Sequence, residues 1–558
     1  MAAVARGQLR GAGGMKTWER RSGTGNRLTD AYLRGEPGAC ALYAYAPGDG
    51  EAERRAADLD GLYDGRRRAG LVSALAAYAD AVAGLSPAVE SSLQKLSDPR
   101  CLAVVTGQQA GLFTGPLYTV YKAVSAVVHA RRLEERLKRP VVPIFWVASE
   151  DHDFDEAASA WYVSSGGGLR RAALRERPPV RTPVGLHAIG ADEMGRLLDE
   201  LSAELPDGLF RQDLLADIAE AHERTANMGD FFVRLLAGFL REAPPLFLNP
   251  LRRDLRALAR PAFERVLRAP EVFRDAAARG AERVQAAGYT PQVEVHARHT
   301  LLYLLEGGRR SALDFDPERP GEFALRDSGR RFSGGELAER LERRPEDFSA
   351  GVLYRPVVQD ELLPVLAYVG GAAEIAYHAV AGEVFAAAGR RTPPLFLRGR
   401  GLALPRSVAR ALARYDFAPE DALAGGLVDR YLRSTFAGPP VGDVIAGLQA
   451  EAERSLGERE AYFCALDPSL RTALARTHTA VRDSLRRLGS RAEKALRLRH
   501  AEAARALGEA ETWLRPHGEE QERVLSPLSL IAKYGRGWMR ELAEGDHPAW
   551  DEIWRLEW

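Results

Sequence analysis

Two clusters of polar residues in this 558-residue chain carry the types and spacing that chemistry needs. The first is Thr106-Gly-Gln-Gln-Ala-Gly-Leu-Phe-Thr-Gly115. A glycine-rich loop between a strand and the amino end of a helix offers backbone N–H groups and a positive dipole end to an anion. Thr106, Gly107, Thr114 and Gly115 would form such a cradle. Gln108 and Gln109 carry amides able to read a sugar, a carboxylate or an adenine edge. Lys122 follows two turns into the helix. The pattern is neither a Walker A loop nor GxGxxG, so it does not fix the ligand, and a tight structural turn is the competing reading. The second cluster is Glu150-Asp-His-Asp-Phe-Asp-Glu156, five carboxylates and an imidazole in seven residues, more than a helix cap requires. Metal ligation, general-base work by His152 or a carboxylate, and binding of a substrate amine are all open, with a solvated acidic turn as the alternative. Mg²⁺ carried by a nucleotide need leave no protein signature, so no metal ligand is assigned.

A third segment runs from Tyr354 to His378. Gly370-Gly371 allows a sharp bend or a close backbone approach, and Glu374, Tyr377 and His378 then fall on about one turn of the next helix. Only Lys16, Lys95, Lys122, Lys138, Lys494 and Lys533 are lysines in a chain whose other basic residues are arginines. A lysine inside a motif is therefore a candidate for a compact point charge.

The elements that must position these residues follow from periodicity. A helix is expected over 70–96, then a short buried strand at Leu102, Val104 and Val105, the loop 106–115, a helix over 116–137 and a strand over 141–149 that is apolar on both faces. This is a βαβ unit, whose crossover is right-handed and whose ligands sit at the carboxyl ends of the strands. Helices are expected at 230–242, 251–268 and 371–388, and strands at 245–248, 292–296, 301–305, 352–358 and 394–397. From about Val441 the composition shifts to long Ala/Leu/Arg/Glu helices. Leu474, Val481, Leu485, Leu488, Ala492 and Ala495 make a helical seam, and Asp467-Pro468 marks a turn, so 441–511 reads as an antiparallel coiled-coil arm, suited to pairing two chains.

Bulk properties bound the rest. The length implies two to four domains. With 77 basic and 77 acidic residues the formal net charge is zero, against the net basic face that coating a nucleic acid or an anionic membrane needs. Cys40, Cys101 and Cys464 are scattered without CxxC or zinc-ligand spacing, which fits a reducing cytoplasm. The stretch before Met15, an alternative start, has no structural pattern. The division expected is an unstructured extension over 1–25, core over 26–155, an inserted connecting segment over 156–290, further core with a smaller insertion over 291–440, the arm over 441–511, and a segment returning to the core over 512–558.

Val105-Thr-Gly-Gln-Gln-Ala-Gly-Leu-Phe-Thr-Gly-Pro-Leu-Tyr-Thr-Val-Tyr-Lys-Ala123 and Phe145-Trp-Val-Ala-Ser-Glu-Asp-His-Asp-Phe-Asp-Glu156 resemble the signature blocks of the cysteine-adding enzyme family of bacillithiol biosynthesis (BshC). Arg355-Pro, Gln359-Asp, Leu363-Pro, Ala367-Tyr-Val-Gly-Gly371 and Glu374-Ile-Ala-Tyr377 resemble a third block. Gln521-Glu-Arg-Val524, before Lys533-Tyr-Gly535, resembles a C-terminal one, and the similarity spans about Asn26 to Leu542. The resemblance adds Tyr118, Gln359, Gln521 and Arg523 to the candidate binding residues. It implies an α/β, Rossmann-like core similar to nucleotidylyltransferases and class I aminoacyl-tRNA synthetases, with inserted segments and a dimerising coiled-coil arm. The implied reaction is amide formation between cysteine and glucosaminyl-malate. Phe113-Thr-Gly-Pro116 stands where those synthetases carry HxGH and lacks both histidines. Ala372-Ala373, His378 and Asn249 depart from the family pattern.

Joining a free carboxylate to an amine is uphill, so a nucleotide (ATP or ADP) or another activated donor is expected. Asp151 and Asp153 are assigned to amine recognition, and His152 or Asp153 to removal of its proton. The partners expected are these small molecules and a second copy of the chain, with no nucleic acid and no membrane. A synthetase-like ligase acting on another small amine and a non-catalytic scaffold of a thiol pathway are the competing functions.

Overall fold

The computed structural model describes residues 15–19 (backbone only), 23–63, 65–549 and 551–558. They divide into two compact units, one taking the chain up to Ala403 together with Gln521–Trp558, the other Leu404–Glu520. Strands are numbered β1 to β15 in chain order.

The centre of the first unit is a five-stranded parallel sheet of β2 (Leu102–Gln108), β3 (Val141–Val147), β6 (Leu246–Leu248), β12 (Val365–Gly370) and β13 (Leu395–Leu397), in the order β13-β12-β2-β3-β6. Helices cover both faces, and β2 shows why its sequence is apolar without alternation. Leu102 and Val104 cluster with Ala126, Ala130 and Leu133 of the helix Leu117–Leu137. Ala103 and Val105 belong to the opposite core with Leu71, Leu75, Leu96 and Phe263. Each large apolar side chain so buried contributes roughly 1.5–3 kcal/mol.

Three smaller sheets surround this core. An antiparallel sheet, β10-β9-β8-β7-β11, is built from β7 (His299–Glu306), β8 (Arg309–Phe315), β9 (Glu322–Leu325), β10 (Arg331–Ser333) and β11 (Phe348–Ala350). Gly307 and Gly308, both at positive φ, close the β7–β8 hairpin in two residues. A two-stranded ribbon joins β4 (Ser159–Val163) to β5 (Leu169–Ala173). The third sheet runs β1-β15-β14, with β1 (Met15–Glu19), β14 (Gly401–Leu404) and β15 (Glu552–Glu557).

Several expectations change. Residues 15–19, expected within an unstructured extension, pair with β15; residues 1–14 and 20–22 lie outside the described residues. The helix expected over 70–96 is three pieces, Gly65–Tyr78, a π turn Ala79–Ala83 and Pro87–Ser97, because Gly84 turns left-handed and Ser86-Pro87 starts a new helix. The strand expected over 352–358 is mainly the helix Arg355–Leu362, which Pro356 opens, and 292–296 is not a strand. The strand at 245–248, assigned to an insertion, is β6 at the edge of the core sheet.

The second unit holds the helices Arg406–Arg414, Pro419–Ala424 and Leu427–Thr435 as well as the arm, so residues 404–440 do not belong with the core. The arm pairs Val441–Gly457 with Leu470–Arg499 in antiparallel fashion. A side chain at Gly489 would start 3.0 Å from Ile445, and Gln449 donates to the Arg482 carbonyl. Val481 and Leu485 face Ala452 and Leu456 across a small cleft, so the seam is turned toward the other helix of the same chain. Leu488, predicted in the seam, is 53% exposed. No helix among the described residues is long and apolar enough to cross a membrane.

Candidate active site

From β2 the chain builds outward to β3 and β6 on one side, then returns to place β12 and β13 on the other, so strand order reverses between β2 and β12. The crevice at the carboxyl ends of these strands is where such sheets take ligands. Lys122 spans it. Its buried ammonium donates to the Gly107 carbonyl and Gln108 Oε1, both at 2.8 Å, and forms an ion pair with Glu374. Glu374 also accepts from Tyr368 and from the Gly371 N–H. Burial alone would raise the Glu374 pKa, but Lys122 and the Gly371 N–H hold it down to about 2. Lys122 is in turn pulled below its usual range by burial, against the Glu374 charge. Gln108 passes its amide on to the Tyr118 hydroxyl, whose pKa burial pushes up to about 12.

The glycine-rich segment does not form the cradle that its composition suggests. Thr106 lies inside β2 and donates to the Val369 carbonyl. A Cβ at Gly107 would stand 2.5 Å from the Trp146 carbonyl oxygen, so this glycine serves strand packing. Residues 110–115 are buried. Phe113 and Thr114 adopt φ of 50° and 73°, followed by Gly115 at 68°, a tight left-handed turn. At the helix amino end the Leu117 N–H is already taken by the Leu525 carbonyl, and the Thr119 N–H by that of Pro116. The Thr114 hydroxyl is buried with no hydrogen-bond partner.

The acidic turn comes to the same crevice. Gln109 donates its side-chain amide to Asp151 Oδ2 at 2.5 Å and also bonds Glu156. Asp151 Oδ1 accepts the His152 and Asp153 N–H groups, and Asp153 caps the short helix Phe154–Ala157 through the Glu156 N–H. Glu150 is buried and paired with Arg256, so it supports the turn from below. Glu156 is exposed at its surface, yet the protein packed around its carboxyl, then Asp153 and Asp151, lift it above the ordinary range, against the Gln109 bond and Lys122. His152 is lowered by burial first and then by Arg310, whose Nη1 stands 3.1 Å from His152 Nδ1.

The third segment forms the opposite wall. Arg355 donates to the Tyr377 hydroxyl. His378 is fully buried, stacked on Tyr377, bonded through Nδ1 to the Glu374 carbonyl, and driven down to about 4 by burial. Gln359 lies one turn beyond Arg355 on the same helix, buried, with its Nε2 unpartnered. Gly370 leaves room for Glu374 and Tyr368, each of which a Cβ would meet at 3.0 Å. Asn249 joins Ser149, Tyr78 and Asp230 in a hydrogen-bonded set.

Comparison with known proteins now bears on this site. Residues 15–399 match the family model described as the N-terminal Rossmann-like domain of bacillithiol biosynthesis BshC, and residues 402–556 match that of its C-terminal coiled-coil domain. The chain belongs to the BshC family. It is 33% identical over 550 residues to a protein of Heliobacterium modesticaldum named "Putative cysteine ligase BshC", covering 95% of this chain and 97% of the relative. Proteins of the same name from Symbiobacterium thermophilum and Salinibacter ruber are 33% and 32% identical, covering 88% and 82% of this chain and 90% and 83% of theirs.

For this BshC chain the C-terminal block is a clamp. Gln521 exchanges both its amide groups with the Ala403 main chain, and Glu522 accepts from Arg398 and the Gly401 N–H. Arg398 lies over the Tyr118 ring at 5.4 Å, and Arg523 is exposed near the Tyr118 hydroxyl charge field. Sequence reasoning missed Glu156 as an individual candidate and missed Arg310, Arg181, Arg355 and Arg398 as the site's cations. Among the described residues no group of three or more His, Cys, Asp or Glu is arranged to hold a metal ion.

Proposed function

We propose that this chain is a carbon–nitrogen ligase that joins L-cysteine to glucosaminyl-malate, closing the amide of bacillithiol in the last step of its synthesis. The family assignment supports this. So does one structural observation: Gln109 bonds Asp151 and Glu156, and Lys122 lies near enough to act on the Glu156 carboxyl, so the acidic turn and the Lys122–Glu374 pair share one end of the sheet. Asp151 and Asp153 attract the glucosamine ammonium. That nitrogen must lose a proton before it attacks the cysteinyl carboxyl carbon. Glu156, whose affinity for a proton is raised by desolvation and then by Asp153 and Asp151, is the group we assign to take it.

The cysteine carboxylate needs activation, and a nucleotide is the donor we favour. At the amino end of the helix Leu117–Leu137 the Leu117 and Thr119 N–H groups are already used, so no step is routed through that point. The arm leaves Val444 and Leu448, one turn apart, exposed at 44% and 40%. Leu488, beside the Gly489 that meets Ile445, is exposed as well, an apolar set suited to a second copy of the chain.

Purified protein incubated with cysteine, glucosaminyl-malate and ATP should release bacillithiol, detected by thiol-specific mass spectrometry, with AMP and ADP resolved. A product appearing equally without the protein, or unaltered glucosaminyl-malate levels in cells deleted for the chain, removes the reading.

A further inference from the structure

The His152 side chain is the only imidazole of the acidic turn, and its hydrogen bonds fix what it can do. A guanidinium has five N–H donors and no acceptor. Arg310 Nη1, 3.1 Å from His152 Nδ1, can therefore only donate, and Nδ1 must hold its lone pair toward Arg310. In a neutral imidazole the proton then sits on Nε2. Arg310 cannot yield easily. It is buried, donates through Nε to Ser349 Oγ at 2.9 Å and through Nη2 to the Ala350 carbonyl at 3.1 Å, and lies 3.7 Å over the Tyr303 ring. These anchors come from β7 and β11 of the antiparallel sheet whose β8 carries Arg310. A second proton on His152 would have to enter at Nδ1, between the ring and a fixed cation. The charged groups around the imidazole are Arg310, Arg181, Asp151 and Asp153; Asp151 Oδ1 lies 3.9 Å from Nδ1, beyond hydrogen-bond distance, so Arg310 is the group bonded there. The Nε2 edge of the half-buried ring has no hydrogen-bond partner among the described residues.

Resting on the ligase reading, we infer that His152 is not the base of the reaction but a fixed Nε2–H donor to a substrate carboxyl oxygen, and that Arg310 is the positioning residue that locks it in this form. Two oxygens share that chemistry: a malate carboxylate, held in the ground state, and the cysteinyl carboxyl oxygen, which gathers charge as the amine adds. A neutral donor beside Asp151 and Asp153 lets one turn hold an ammonium and a carboxyl group together without a second full cation.

Selective ¹⁵N-histidine labelling reads the tautomer without any substrate, with His152→Gln used to assign the signal. The wild-type chain should show an unprotonated Nδ1 and a protonated Nε2 at pH 7 to 8. In Arg310→Gln the same signal should become a mixture of tautomers whose titration moves to higher pH than in the wild type, with burial and Arg181 still holding it down. A wild-type His152 that carries its proton on Nδ1, or that titrates near neutrality, overturns the lock. The second arm uses catalysis. His152→Gln keeps an N–H where Nε2 was and has no basic lone pair, so it should stay within about tenfold of wild type, while His152→Ala loses 10²-fold or more. A base would be lost equally in both, typically by 10²–10⁴. If His152→Gln falls as far as His152→Ala with its fold intact by circular dichroism, the donor role is wrong. A rise in KM for glucosaminyl-malate assigns the malate carboxylate, and a fall in kcat alone assigns the cysteinyl oxygen. Absence of product with wild-type protein would count against the ligase reading, and the tautomer measurement would still decide the lock.

Discussion

Gln109 Nε2 and Asp151 Oδ2 meet at 2.5 Å across the carboxyl ends of neighbouring strands β2 and β3. One amide thus joins the glutamine pair to the acidic turn and also bonds Glu156, lowering that carboxyl's proton affinity. Replacing Gln109 by Leu removes the larger opposing influence and leaves only the Lys122 charge against burial, Asp153 and Asp151. The Glu156 pKa should rise further, and the acidic limb of the kcat/KM profile should move to higher pH. An unmoved limb with reduced activity would mean that Glu156 is not the titrating group.

Glu156→Gln keeps shape and a hydrogen-bond partner for Gln109 while removing the basic oxygen. Amide formation should fall by roughly 10²–10⁴, the usual weight of a general base. Asp155→Asn is the matched control. Asp155 is exposed and paired with Arg177 at 2.5 Å, an ion pair of the kind that contributes about 0–1 kcal/mol, so its activity should stay near wild type. Equal losses in both variants would point to general electrostatics of the turn.

Much of this arrangement is legible in the chain itself, for a physical reason. The strand–loop–helix–strand from Leu102 to Val147 is contiguous, so its apolar runs, glycines and Pro116 specify it locally. Gln108, Gln109, Lys122 and the acidic turn are placed by that unit alone. What local pattern cannot carry is direction and distance. Val357-Val358 reads as a strand, yet Pro356 opens a helix there and the valines are buried by neighbours far along the chain. Arg310 lies 158 residues from His152 and is one arginine among many, so no sequence signal singles it out. The glycines of 107–115 suggest a phosphate cradle, and only the course of Leu525 past Leu117 shows the donors in use.

The dimerisation proposed for the arm predicts a specific disruption. Changing Leu448 and Leu488 to Glu places two charges on the exposed apolar set without entering the Ile445–Gly489 seam. Light scattering should shift from dimer to monomer while helicity is retained. A wild-type chain that is monomeric at micromolar concentration, or a double variant that stays dimeric, rejects the arm as the contact.

His378 predicts a pH effect on stability. Its folded pKa, about 4 through burial, is depressed from an ordinary value near 6.5. The unfolded chain therefore binds the extra proton first as pH falls. The folded state's advantage is complete above about 6.5 and is lost as pH drops from 6.5 toward 4, costing about 2 kcal/mol between pH 7 and pH 5. His378→Phe can keep the stack on Tyr377 and has nothing to titrate. Urea midpoints at pH 7 and pH 5 should differ less in the variant. An unchanged difference would show that His378 takes no part in the acid loss, leaving it to other buried imidazoles such as His547, also held near 4.

The Lys122–Glu374 pair tests whether the crevice is braced by charge or only by packing. Both side chains are largely withdrawn from water, and Glu374 is held ionised by Lys122 and the Gly371 N–H. Removing one member leaves the other charge buried without its partner, a loss of typically 3–5 kcal/mol, whereas removing both together is often close to neutral. Lys122→Met alone should therefore lower stability sharply, and it should also free the Gly107 carbonyl and Gln108 Oε1 that now point at the ammonium. Adding Glu374→Leu should recover a large part of that loss, though the Gly371 N–H and Tyr368 hydroxyl lose their acceptor and keep the recovery incomplete. Chemical denaturation of the four proteins in this cycle gives the coupling directly. Additive losses, with no recovery in the double variant, would mean that the charges on the helices Leu117–Leu137 and Ala372–Ala387 do not sense one another across the switch point.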